Sequence, residues 1–176
     1  PTITGWVDRK ARPDMLNKPI FGLQWKRCLN YCSWRGKRLP TEAEWERAAK
    51  GKESRIYPWG NKEPNKTLAN YGNCCFIKKG KILTKIGFFI NGNTPEGIAD
   101  LGGNVAEWVS DWYDKKYYEK SPYKNPKGPK KGKYHVIKGG AWNSLPVYLR
   151  SSSRYGDSDS KDYYGIGCRC AKDTGQ

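Results

Sequence analysis

The chain of 176 residues has one histidine, one methionine and 17 acidic residues set against 33 basic ones. No apolar run approaches the roughly 18–20 residues that cross a bilayer, so a membrane span is excluded from the sequence reading. No charged segment followed by an apolar stretch opens the chain, and position 1 is proline. That start reads as a mature or trimmed product, so the missing targeting signal does not argue for the cytoplasm. A single histidine excludes a three-histidine metal centre. Apolar residues are scarce at 36%, and mean hydropathy is -0.91. Aromatics are not scarce: 8 Trp and 12 Tyr can build a core from few residues, because each buries roughly 150–250 Å². Disordered chains lack such rings, so a folded chain is expected, and its length predicts one domain over 1–176.

The formal net charge of +16 points first to an anionic partner. Only 10 of the 33 basic residues are arginine, the side chain whose planar fork reads phosphate and guanine edges. The densest cluster, Lys124, Lys127, Lys130, Lys131 and Lys133, is interleaved with Pro122, Pro126, Pro129, Gly128 and Gly132. Proline and glycine at that density describe an exposed loop, not a recognition helix. With no zinc-finger, helix-turn-helix or RNP-type pattern, specific nucleic-acid binding is not expected; attraction to a polyanion by charge alone stays open.

Apolar residues recur at helical spacing over Leu23, Trp25, Cys28, Leu29, Cys32 and Trp34, with Gly36 as the stop. A second helix starts at Thr41, where Glu44 completes a capping box; Trp45, Ala48 and Ala49 form its apolar face and Gly51 ends it. Turn signals then crowd in. Short strand-like runs are read at 81–90, 105–109, 134–137 and 147–151, which gives an α+β fold with much irregular structure.

Six segments in order carry a resemblance: Arg38-Leu39-Pro40-Thr41-Glu42-Ala43-Glu44-Trp45, Tyr57-Pro58-Trp59-Gly60-Asn61, Gly102-Gly103-Asn104-Val105-Ala106-Glu107-Trp108, Asn125-Pro126-Lys127-Gly128-Pro129, Lys138-Gly139-Gly140-Ala141-Trp142 and Gly165-Ile166-Gly167-Cys168-Arg169-Cys170. The chain resembles the formylglycine-generating enzyme family, also called the sulfatase-modifying factor family, most strongly over 19–172. The resemblance implies a C-type-lectin-like fold with two helices and short strands. The family's opening strands have no counterpart before the first helix, so a fragment or a shortened member is expected.

The family's oxidases use two cysteines just after the GGSW element to bind copper and activate oxygen. The matching positions here are Ser144 and Leu149. A hydroxyl cannot replace a soft thiolate, and leucine offers no ligand atom, so copper and formylglycine chemistry are not expected. His135 is read as a strand residue, because no second histidine or orienting pair accompanies it. The resemblance also implies a calcium site with carboxylates from Asp100 and Glu107 and backbone carbonyls from Gly103 and Val105, a hard-oxygen set suited to that ion. The alternative is that both acids only hydrogen-bond loop amides. A second site would use Asn70 and the Tyr71 carbonyl. The stretch that should supply its carboxylate, 76–83, holds Lys78, Lys79 and Lys81 and no acid, so that site is doubtful and a lysine ammonium is the competing occupant.

Six cysteines suggest an oxidising, extracytoplasmic location, periplasmic or secreted. By resemblance Cys32 pairs with Cys170. Cys28 lies one helical turn before Cys32 and Cys168 two residues before Cys170, which makes Cys28–Cys168 a plausible second bridge. Cys74 and Cys75 are left as a vicinal disulfide, two thiols or a metal clip. The ligand groove is placed at Trp142, Asn143, Ser144, Tyr148 and Arg154, where Tyr- and Ser-rich sequence favours adaptable binding. The reading is a non-catalytic binding or assembly module for an anionic or protein partner. The alternative is a subunit of a larger complex, an oxidoreductase or cofactor-maturation component whose metal site another chain completes.

Overall fold

The structure, a computed structural model, describes residues 6–7, 10–11, 13–73, 82–158 and 165–173. Two short strands, β1 (Trp6–Val7) and β2 (Lys10–Ala11), pair antiparallel. Helix α1 (Trp25–Trp34) begins at Gln24 without a side-chain cap. It stops where Gly36 takes φ 66° and the Lys37 N–H reaches back 2.8 Å to the Cys32 carbonyl. Helix α2 (Glu42–Lys50) carries the full capping box between Thr41 and Glu44 that its sequence predicts.

Four further strands form one sheet in the order β5-β4-β3-β6: β3 (Ala106–Trp112), β4 (His135–Lys138), β5 (Tyr155–Asp157) and β6 (Ile166–Cys168). β3 runs antiparallel to β4 and parallel to β6. The register pairs Glu107 with Lys138 and Trp108 with Ile137. Because alternate residues of a strand face opposite sides, this register divides the core. Trp108 and Ile137 join Cys28, Cys32, Leu39 and Trp142 on the α1 side. Val109 and Val136 join Trp45 and Ala49 of α2 on the other. Trp45 and Trp108 are almost fully buried, and each such ring contributes roughly 2–3 kcal/mol of transfer free energy.

Disulfides Cys28–Cys168 and Cys32–Cys170 tie α1 to β6 and the residues just beyond it. They close loops of nearly equal length, with sequence separations of 140 and 138. Once one is formed, the other adds little further restriction of the unfolded chain. Cys74 and Cys75 lie outside the described residues.

Two strand readings are corrected. Among the described residues 82–90 there is no strand; the stretch turns at Ile86 and Gly87 and then enters a single 3-10 turn, Ile90–Gly92. Gly87 takes φ 69°, a conformation that breaks an extended run. The run at 147–151 is instead a 3-10 turn, Pro146–Leu149, because Pro146 sits at its first position with φ already set for it.

Candidate functional site

After β4 the chain reverses through Gly139 and Gly140 and makes a tight turn at 141–144. The Ser144 N–H donates to the Ala141 carbonyl at 2.9 Å, and the Ser144 hydroxyl accepts the Ala141 N–H at 2.9 Å. Trp142 is buried; its N–H donates to the Asn104 carbonyl at 3.0 Å and its carbonyl accepts the Asn73 N–H at 2.9 Å. Its indole Nε1–H is buried with no hydrogen-bond partner among the described residues. Asn143 is exposed beside it. The 3-10 turn that follows presents Leu145, Val147 and Tyr148, exposed to 63%, 54% and 41%, with Tyr148 edge-on to Tyr155 at 5.9 Å. Gly165 closes the opposite side: a Cβ there would lie 3.2 Å from the Ala141 Cβ and 3.4 Å from Trp142 Nε1.

Trp142, Asn143, Ser144 and Tyr148 therefore come together as grouped from the sequence. Arg154 does not join them. Its Nε and Nη2 donate to the two carboxylate oxygens of Glu42, its Nη1 to the Asp114 carbonyl, and its guanidinium lies between the Tyr113 and Tyr118 rings at 4.7 and 4.8 Å. Tyr155 turns to Tyr148 while Arg154, one residue earlier, faces α2, as extended backbone alternation requires. Leu149 is wholly buried against Tyr57 and Ala69.

The α2 side of the sheet is unexpectedly ionic. Lys138, with no exposed surface, donates to Glu46 at 2.9 Å. Burial pushes its amine below the ordinary value, and Glu46 opposes that shift. Burial also penalises the Glu46 carboxylate, but Lys138 and Lys50 outweigh it and hold the carboxyl below its usual range. Asp111 Oδ2 accepts the Glu42 N–H at 2.8 Å, and burial raises its carboxyl. Little of this network had a sequence signal, because its partners are 69 to 112 residues apart.

Asp100 and Glu107 share one neighbourhood. Glu107 Oε2 accepts from Trp45 Nε1 and Arg169 Nε, each at 2.7 Å, and Oε1 accepts from Arg169 Nη2 at 2.7 Å. Arg169 also donates to the Ala99 and Asp100 carbonyls. Asp100 takes φ 56° and Gly103 φ 80°. A Cβ at Gly103 would come within 2.5 Å of the Asn70 carbonyl, so only glycine permits this approach. Asp100 Oδ2 accepts the Gly87 N–H at 2.7 Å. Burial raises the Asp100 carboxyl, against the Gly87 N–H and Arg169, and the Glu107 charge adds to the rise. Among the described residues these two carboxylates share one guanidinium, and no group of three or more His, Cys, Asp or Glu side chains that could hold a metal ion comes together. Glu107 Oε2 thus accepts two hydrogen bonds and Oε1 one.

Around Asn70 the arrangement differs. Its Nδ2 donates to the Ile82 carbonyl at 2.8 Å and to Asn104 Oδ1 at 3.3 Å, and its Oδ1 accepts from Asn73 Nδ2 at 2.7 Å. The Tyr71 carbonyl accepts a hydrogen bond from the Lys66 ammonium, which lies 4.4 Å from the Tyr71 ring. Lys78, Lys79 and Lys81, read from sequence as stand-ins for an ion, lie outside the described residues.

Sequence reasoning also missed an open cleft of about 870 Å³ between the start of α2 and the loop 123–127. Leu29, Leu39, Ala43 and Pro126 line it with Tyr123, which is 99% exposed, and with charges of both signs: Arg38, Arg47 and Lys127 against Glu44 and Asp173. His135 is a strand residue as read, but its ring is clasped between Trp25 and Trp112, each with centroids 3.7 Å away.

Residues 6–174 match the sulfatase-modifying factor enzyme 1-like domain. Serine/threonine-protein kinase pkn1 of Chlamydia pneumoniae is 38% identical over 163 residues, covering 91% of this chain and 25% of that protein. The formylglycine-generating enzyme of Mus musculus is 36% identical over 89% of this chain and 45% of its own length. The inactive C-alpha-formylglycine-generating enzyme 2 of Bos taurus is 33% identical over 93% and 53%. The chain thus spans about a quarter to a half of these relatives. Among solved structures, Treponema denticola variable protein 1 superposes with a TM-score of 0.73 at 21% identity, over 96% of this chain and 75% of that one. PvdO from Pseudomonas aeruginosa gives 0.72 at 25% identity, over 96% and 68%.

Proposed function

Because this chain belongs to the sulfatase-modifying factor family, in which active and inactive formylglycine-generating relatives both occur, we propose that it is a non-catalytic member acting as a binding or assembly module. One observation carries the reading: at the two positions matched to the family's cysteines, the Ser144 hydroxyl is engaged by the Ala141 N–H and Leu149 is packed in the core. Neither can hold a soft metal. What occupies that place is a recognition surface. Asn143 presents an exposed carboxamide, and Leu145, Val147 and Tyr148 supply an apolar rim. A ligand with an acceptor group beside an apolar one satisfies both.

The partner is another protein or an anionic ligand. At the α2 cleft Glu44 and Asp173 are both paired with Arg38, which leaves Arg47 and Lys127 as the basic residues beside the exposed Tyr123, on a chain of charge +16. The cofactor in this reading is calcium, held by Asp100, the carbonyls of Gly103 and Val105, and one oxygen of Glu107; bound there, it would offset the two carboxylates and fix the loop 100–107. Two disulfides are consistent with residence outside the cytoplasm.

Fluorescence polarisation with a labelled oligoglutamate tests the anionic-partner reading. Affinity should fall steeply as salt rises, and Arg47→Glu with Lys127→Glu should weaken it about tenfold or more. Absence of binding at low salt, or binding indifferent to both reversals, contradicts it.

A further inference from the structure

From Pro64 to Pro95 the sequence contains no aspartate or glutamate, while Lys66 and four further lysines fall inside it. Among the described residues, the oxygens hydrogen-bonded at this loop are the amides of Asn70, Asn73 and Asn104 and the carbonyls of Tyr71 and Ile82. Those oxygens are already taken by N–H donors: Asn70 Oδ1 by Asn73 Nδ2, and the Tyr71 carbonyl by the Lys66 ammonium, which also lies 3.5 Å from Asn73 Oδ1. The donor set does not fit a second calcium, which needs about six to eight oxygens and at least some anionic ones. It fits an ammonium, whose three N–H groups want neutral acceptors and whose charge is favoured over the face of a tyrosine ring.

We infer that Lys66 takes the place that the resemblance assigns to a second calcium ion, so that the loop 70–73 is set by a covalently attached cation. The consequence reaches the groove. The Gly72 N–H donates to the Ser144 carbonyl and the Asn73 N–H to the Trp142 carbonyl, both at 2.9 Å. Lys66 therefore positions the strip of backbone on which the 142–144 turn rests. A metal site would make that support depend on the calcium outside. A tethered ammonium keeps it at any calcium level and leaves any calcium response to the Asp100 region. The inference holds whatever the groove binds.

Amide hydrogen exchange on the full chain tests it, with Asp100→Asn as background to remove the other proposed site. Wild-type Lys66 protein should exchange its Gly72 and Asn73 amides at the same rate in millimolar calcium and in chelator. Lys66→Met should speed both roughly tenfold without moving the β4 amides of Val136 and Ile137, and Lys66→Arg should restore them. Calcium that slows Gly72 and Asn73 in the Asp100→Asn protein would overturn the inference, as would a Lys66→Met protein that leaves them unchanged. Should Lys66→Met fail to fold, the calcium-against-chelator comparison on the Lys66 protein decides alone.

Discussion

Ser144 and Ala141 bond to one another twice: hydroxyl to N–H and N–H to carbonyl, both at 2.9 Å. In this chain the residue at a family cysteine position is thereby a local cap for the turn that presents Trp142. Ser144→Ala leaves the Ala141 N–H without its acceptor and should lower unfolding free energy by about 1 kcal/mol. Urea midpoints at constant slope measure this. An unchanged midpoint would mean that the turn is held by the backbone alone.

Calcium should stabilise the chain through the Asp100 region. The wild-type melting temperature should fall on addition of chelator and return with calcium, by an amount set by calcium concentration over its dissociation constant. Asp100→Asn should abolish the difference. A calcium response that survives in Asp100→Asn would place the ion elsewhere.

Acid should loosen the packing of α2 on the sheet. The Glu46 carboxyl lies below its ordinary 4.5 in the folded chain because Lys138 and Lys50 favour the anion despite its burial. A depressed carboxyl gives stability that is present in full above the unfolded value and is lost as pH falls through the folded one. Unfolding free energy should therefore decline below about pH 4.5. Glu46→Gln should flatten that limb, although its stability at pH 7 will be lower because Lys138 is left buried without a counter-ion. An equally steep acid limb in Glu46→Gln assigns the loss to other carboxylates.

The fold was legible where a local signal matched a local need. Thr41 and Glu44 announce α2, and the apolar spacing through Cys28 and Cys32 announces α1. It was illegible where extended-looking residues meet a backbone constraint, as Gly87 and Pro146 show. At the site, the turn residues were readable because they are contiguous. Arg154 was misplaced because strand alternation turns it away from Tyr148 towards Glu42, 112 residues distant. Glu107 was readable as an acid in an important loop, but the double use of its Oε2 by Arg169 and Trp45 depends on residues far apart in the sequence meeting. Lys66 carried no signal of its own; only the lack of acids around it hinted that something else supplies the charge.

The most direct test of the central claim is oxidation of a cysteine-containing peptide by the purified chain with Cu(I) and oxygen, followed by mass spectrometry of the peptide. The account predicts no enzyme-dependent conversion of the cysteine to formylglycine, because Ser144 and Leu149 cannot assemble the thiolate pair. Turnover above the protein-free rate, retained when Cys74 and Cys75 are changed to serine, would contradict it.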